Sequence, residues 1–345
     1  MTLSNTNIKP TLTPELAASA GSFFNLGSID SYREFESAIN LNVHIKCARG
    51  DFLLRVYHQG MTNERITFLQ TVKSGLRKYG ILAPEPIGWA HSNELGLDFG
   101  RIIELEHFIP HQPVSYSWDH HERVFPTLGK LHDCLKIIVD DHNFVPTEIH
   151  NYALPSQLST WLNMTESKIR ASDSRDIQDA LKVCSRTRDF LRTIDEWWIV
   201  QGNNLPKQAV HGDFNTGTNV TTSSDQTTIV FDFDFVDIHE RVFDIAYSMF
   251  FAIGSIEWGK PLEEIDWSRI TRSIELYSGT SECPLTQQEW EALPIELARV
   301  QLYWICSAGF APDPATTILE EGEGLEDSFW ILEHLQSLLL HPNSK

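Results

Sequence analysis

The chain has 345 residues, 41% apolar and 21% charged, with 10 Trp and 19 Phe to fill a core; this balance excludes a chain disordered beyond its ends. The length predicts one large domain or, better, two lobes meeting at a cleft, where small ligands bind. A formal net charge of −20 repels nucleic acid and anionic membranes and attracts cations, so neither kind of surface is an expected partner.

No 18 apolar residues run together and the start, Met1 to Pro14, is polar, which predicts neither a spanning helix nor a signal peptide. The cysteines, Cys47, Cys134, Cys184, Cys283 and Cys306, are odd in number and form no CxxC pair; reduced thiols in a cytoplasm fit them. The oligomeric state is open.

Along the chain, residues 38–57 read as a hairpin: AINLNVHIK alternates apolar and polar side chains, ARGD turns, and FLLRVY is a short buried run. From Asn63 to Tyr79, Ile66, Leu69, Val72 and Leu76 recur at helical spacing, and Gly80 stands at the helix end. ILAPEPIGWA breaks any helix with two prolines, and RIIELEHFI, 101–109, is a further strand. Pro110 and Pro113 mark a connector, so a hinge is expected near 104–111, dividing an N-terminal lobe (1–105) from a C-terminal one (106–345).

Helices dominate beyond it, with apolar stripes through Phe125, Leu128, Leu131 and Leu135 and through 176–199, 286–306 and 325–340. The exception is 209–235, where AVHGDFNTGTNV and TTIVFDFDFV flank the polar turn TTSSDQ and predict one β-hairpin. The whole reads as α+β: a small mixed-sheet lobe and a larger, mainly helical one.

Asp213 and Asp232 flank that hairpin, so both carboxylates can face one point. Phosphoryl transfer needs such a pair, one to accept a hydroxyl proton and one to hold a divalent cation against phosphates. Most aspartates near turns simply satisfy backbone groups, but an apolar strand seldom carries Asp-x-Asp without a ligand.

The segments AVHGDFNTGTNV and TIVFDFDFVDIHERVFDIAYSM resemble the catalytic core of the aminoglycoside phosphotransferase and choline kinase-like superfamily, especially its homoserine kinase-like branch. The likeness extends over GDFLLRVYHQG, RIIELEHFI and LGKLHDCL, covering most of the chain. It implies a bilobal, protein-kinase-like fold and transfer of a γ-phosphate from ATP, or GTP, with Mg²⁺, to a small-molecule hydroxyl.

By that resemblance Asp213 is the catalytic base, His211 braces its loop, and Asp232 coordinates the metal. Asp234 is a second ligand or a wall of the acceptor site, and Asp244 fixes the loop. Arg55 stands where the superfamily often has Lys and would grip phosphates with its fork. Glu64, on the first helix, would orient Arg55 or simply favour the helix start. The hinge backbone from Glu106 to Phe108 would meet the purine.

Two departures stand out. A kinase loop carries its metal-binding Asn five residues after the base; here that position is Thr218 and Asn219 follows, so either is a candidate ligand. The first hairpin has no glycines, leaving Ser37, Asn40 and local amides for the phosphates. Hydroxyl acceptors implied by the resemblance include aminoglycosides, choline, ethanolamine, homoserine and sugars; the acidic balance favours a cationic, amine-bearing one.

A nucleotide-binding pseudokinase is the alternative, and transfer to a protein side chain is disfavoured by the short segment after Asp232. A phosphatase-type Asp nucleophile would open a doubly wound domain instead of arriving late. Neither His120 with His121 nor Asp140, Asp141 and His142 has zinc-ligand spacing, and EEIDW and EEGEGLED read as acidic surface.

Overall fold

The computed structural model describes residues 10–340 apart from 38, 114 and 148. The polar start before residue 10 and position 38, at the head of the expected hairpin, lie outside the described residues.

Five antiparallel strands form the N-terminal sheet: β1 (Ile29–Phe35), β2 (Leu41–Cys47), β3 (Gly50–Val56), β4 (Pro86–His91) and β5 (Ile102–His107), in the order β1-β2-β3-β5-β4. The β2–β3 hairpin of the sequence is present, and Gly50, at φ 128°, closes its turn in a conformation most side chains cannot adopt. β1 and β4, flanked by Gly and Pro instead of clean alternation, carried no strand signal. Val43, Ile45, Leu54, Val56, Ile103 and Leu105 pack under α1 (Pro14–Phe23), a helix also unexpected from sequence.

α2 (Asn63–Lys78) is capped by Thr62, whose hydroxyl accepts from the Arg65 amide at 3.2 Å. Its stripe of Ile66, Leu69, Val72 and Leu76 shares one core with Leu128, Leu131 and Leu135 of α4 (Pro126–Asp141) and with Phe233 and Val236. Each such side chain contributes about 1.5–3 kcal/mol on burial. α2 thus packs into one core with α4 and the loop before β9. The helical part adds α3 (Trp118–Val124), α5 (Pro155–Arg170), α6 (Ile177–Val200), α7 (Arg241–Ile256), α8 (Trp267–Ser278), α9 (Gln287–Ser307), α10 (Pro314–Glu321) and α11 (Leu325–Leu340). Among the described residues no helix is long and apolar enough to cross a membrane.

The expected single hairpin over 209–235 is instead two nested ribbons. An outer one pairs β6 (Lys207–Val210) with β9 (Asp237–Glu240), and an inner one pairs β7 (Val220–Thr222) with β8 (Thr228–Val230). The chain leaves the outer ribbon after Val210, where His211, Gly212 and Asp213 break the apolar run, and returns to it after the polar Asp232-Phe233-Asp234 bend. Asp213 and Asp232 therefore sit on the two loops joining outer to inner ribbon. The connector after β5 ties to the inner ribbon through Gln112, whose amide donates to Thr222 O at 2.9 Å and whose carbonyl accepts from Thr221 Oγ1 at 3.0 Å.

Candidate active site

Asp244, in the first turn of α7 and fully buried, organises the loop after β6. Its carboxylate accepts the amides of His211 (2.8 Å) and Gly212 (2.9 Å) and meets His132 Nε2 of α4 at 3.0 Å. Burial alone would push this carboxyl up; the His132 contact and the amides outweigh it and hold it below the usual range. Gly212 has φ 77°, and a Cβ there would lie 2.4 Å from Phe235 O, so only glycine fits.

The His211 ring joins the two loops: Nε2 lies 3.0 Å from Phe231 O, and Nδ1 faces the Asp213 amide at 3.3 Å. Donation from Nε2–H leaves Nδ1 as an acceptor, a neutral tautomer in keeping with burial, which lowers the imidazole pKa.

Asp213 is half-buried. Tyr247 Oη donates to its Oδ1 at 2.6 Å, and Asn219 Nδ2 donates to its Oδ2 at 2.7 Å and its carbonyl at 3.0 Å. Residues 215–219 form one helical turn, with the Asn219 amide on Asn215 O at 2.8 Å, which brings the Asn219 side chain back onto Asp213. Burial, then the charge of Asp232, pushes the Asp213 carboxyl well above the usual range.

Asp232 adopts φ 57°, ψ 71°, a left-handed conformation that costs a non-glycine residue about 1–2 kcal/mol. Its Oδ1 is 3.0 Å from Arg55 Nη2, which also meets Asp234 Oδ2 at 3.0 Å. Asp234 is buried and accepts from Asn40 Nδ2 at 2.5 Å as well. Burial and Asp232 raise its carboxyl to about 6 despite Arg55. Arg55 Nε and Asp234 Oδ1 are buried without a hydrogen-bond partner.

A cavity of about 500 Å³ connects these groups. Arg55, Asp213, Thr218, Asn219 and Asp232 line it together with Leu53, Glu106, Phe108, Ile109 and Phe231. Most of the residues singled out in the sequence thus share one cleft, with His211 directly behind Asp213.

Two expectations are corrected. Glu64 is exposed in the first turn of α2, and the carboxylates that hold Arg55 are Asp232 and Asp234. Asn40 is turned inward, donating to Asp234 and accepting the His58 amide at 3.0 Å, so its side chain is committed to the wall. Along 106–108, the amides of His107 and Phe108 donate to Glu85 O (2.9 Å) and Asp51 O (3.1 Å). His121, weighed as a zinc ligand, contacts Thr216 Oγ1 at 2.9 Å and props the loop.

Sequence reasoning missed Tyr247, although it follows Asp244 by one helical turn and so had to face the same loop. It also missed a buried cluster: Lys73 Nζ binds Glu104 at 2.8 and 2.9 Å and also Glu106, while Tyr57 Oη donates to Glu104 at 2.6 Å. Lys73 lies on the apolar stripe of α2, and Glu104 and Glu106 share one face of β5; a charge in each place demands a partner.

Two carboxylates, Asp213 and Asp232, thus line one cleft with the buried Arg55. The chain belongs to the Phosphotransferase enzyme family, whose model matches residues 31–266. It is a phosphotransferase acting on a small-molecule hydroxyl.

Solved structures of similar fold include a microcompartment-associated aminopropanol kinase (15% identity, TM-score 0.63, covering 94% of this chain and 98% of that one). An ethanolamine kinase of Plasmodium vivax is 14% identical, with TM-score 0.57 and 86% and 84% coverage. A spectinomycin phosphotransferase, in complex with ADP and spectinomycin, is 14% identical, with TM-score 0.58 and 95% and 99% coverage. No curated protein matches the chain.

Proposed function

We propose that the protein transfers the γ-phosphate of ATP to the hydroxyl of an amine-bearing small molecule, such as an amino alcohol. The observation that carries this reading is the convergence of Asp213, Asn219, Asp232 and Arg55 on one cleft.

In the reaction the acceptor hydroxyl oxygen attacks the γ-phosphorus in line. The new O–P bond forms as the bond to the β-phosphate oxygen breaks, the hydroxyl proton passes to Asp213, and ADP leaves. Tyr247 and Asn219 fix the Asp213 carboxylate by a hydrogen bond to each oxygen, so the base is placed before the acceptor arrives. The planar fork of Arg55, which lines the cleft, would meet the phosphates.

Asp232, Asp234 Oδ1 and Asn219 Oδ1 would hold Mg²⁺ as all-oxygen donors, and the ion would supply neutralisation of phosphate charge. Asn219 is preferred over Thr218 because its Nδ2 is anchored on Asp213, leaving Oδ1 for a cation. The unpartnered Asp234 Oδ1 and Arg55 Nε fit this reading, as an acceptor for a cation and a donor for a phosphate.

For the acceptor, support comes from charge. A second cavity, of about 650 Å³, is lined by Phe250, Glu257, Trp258 and Lys260 at and after the end of α7 and by Glu321 and Asp327; Lys260 pairs with Glu257, which leaves Glu321 and Asp327 as the acidic groups not paired with it. Carboxylates and an aromatic face suit an ammonium group. The net charge of −20 acts in the same direction, and so do the names of the aminopropanol and ethanolamine kinases among the neighbours.

The test is Mg²⁺-dependent ADP release screened over amino alcohols, aminoglycosides and neutral sugars. Stimulation by amine-bearing compounds is expected. Stimulation by neutral sugars alone would overturn the acceptor class, and nucleotide binding without turnover on any acceptor would favour a scaffold.

A further inference from the structure

Outside the lining of the cleft, three side chains from two parts of the chain converge. Asp237 and His239 are two residues apart on a strand and so share a face; His150 comes from the segment between α4 and α5. Asp237 Oδ2 lies 3.3 Å from His150 Nδ1 and 3.6 Å from His239 Nε2, and one ligand atom from each of the three falls within 4.8 Å of the others. Around a tetrahedral Zn²⁺ with bonds of 2.0–2.1 Å, neighbouring ligand atoms are separated by about 3.3 Å.

The set is held in place from outside. The His239 ring stacks on Tyr152 at 3.9 Å, Tyr303 Oη donates to the His150 carbonyl at 2.6 Å, and Asp237 Oδ1 accepts the Ile238 amide at 2.8 Å, leaving Oδ2 for the two rings. The nearby Arg299 is paired with Glu296 at 3.0 Å, which compensates its charge. The His150 side chain is 37% exposed, so the cluster is reached from solvent on that side.

We propose that His150, Asp237 and His239 bind a zinc-class divalent cation, separate from the cation of the nucleotide cleft. Two imidazoles and one carboxylate with an open position suit Zn²⁺ and not Mg²⁺, which selects oxygen ligands. Bound there, the ion fastens the segment carrying Asn151 to β9. Asn151 Nδ2 reaches Tyr247 Oη at 3.1 Å, and that hydroxyl donates to Asp213, so the site braces the base from behind.

The test is titration of chelator-stripped full-length protein with ZnCl₂, and with CoCl₂ as a spectroscopic probe. One saturable equivalent is expected, with visible cobalt absorption of a nitrogen-ligated site. His150→Ala and His239→Ala should each weaken binding by at least about tenfold, the scale of a lost ligand-shell group, whereas Asp232→Asn should leave it unchanged. Thermal midpoints of the metal-free variants check folding, and His239→Gln replaces His239→Ala if the latter unfolds. No saturable equivalent, undiminished binding in both histidine variants, or loss of binding in Asp232→Asn would overturn the assignment.

Discussion

On the wall formed by residues 211–219, Asp244 takes two backbone amides and His132, and both oxygens of Asp213 accept a donor. On the facing wall Arg55 Nε, Asp234 Oδ1 and Glu106 Oε2 are buried with no partner. Leaving such an atom unsatisfied costs about 1–3 kcal/mol. The first wall was completed by folding. In the proposed reaction the second would find its partners in what binds, so the base would be placed in advance while affinity would be realised only on contact.

Substitutions on the two walls should therefore fail in different ways. The largest effect is expected of Asp213→Asn: kcat lower by at least ~10² with nucleotide KM nearly unchanged, read by steady-state ADP release. Because burial and Asp232 raise its carboxyl, wild-type kcat/KM in the free enzyme should fall with decreasing pH along a limb above the ordinary aspartate range. A limb at ordinary aspartate pH would argue against Asp213 as the base.

Asp244→Ala should act on stability, costing about 3–5 kcal/mol in denaturant unfolding, because it strands two amides and a buried histidine. Its carboxyl is held low, so that contribution is present above the ordinary aspartate pKa and lost as pH falls through the lower folded value.

Arg55→Lys, which keeps the charge but loses the fork, should raise nucleotide KM by about tenfold with kcat little changed. An equal loss in kcat would move Arg55 from binding to chemistry. The smallest effect is expected of Glu64→Ala, within about 0.5 kcal/mol by thermal unfolding and with activity intact.

What could be read from the sequence divides along similar lines. α2, α4 and α6 show their periodicity openly because each buries one face, whereas β5 and α9, buried nearly all round, stand out as apolar runs. The residues that gather at the cleft were visible for a related reason: carboxylates inside apolar runs are conspicuous. Glu64 and Asn40 were misassigned because a polar residue's facing depends on the sheet and helix packed behind it. The nested pairing of β6 with β9 was hidden because four-residue strands separated by 26 residues leave no local signature; only the closed fold sets Val210 against Asp237.

The nesting also says where the gene can tolerate length variation. Residues 223–227 form an exposed turn at the far end of the inner ribbon, so an extra glycine there would lengthen a tip and leave both junctions with the outer ribbon untouched. The same insertion between His211 and Asn219 would rotate the helical turn that returns Asn219 to Asp213. Natural or engineered diversity in chain length should thus collect at the distal tip and be absent a few residues away.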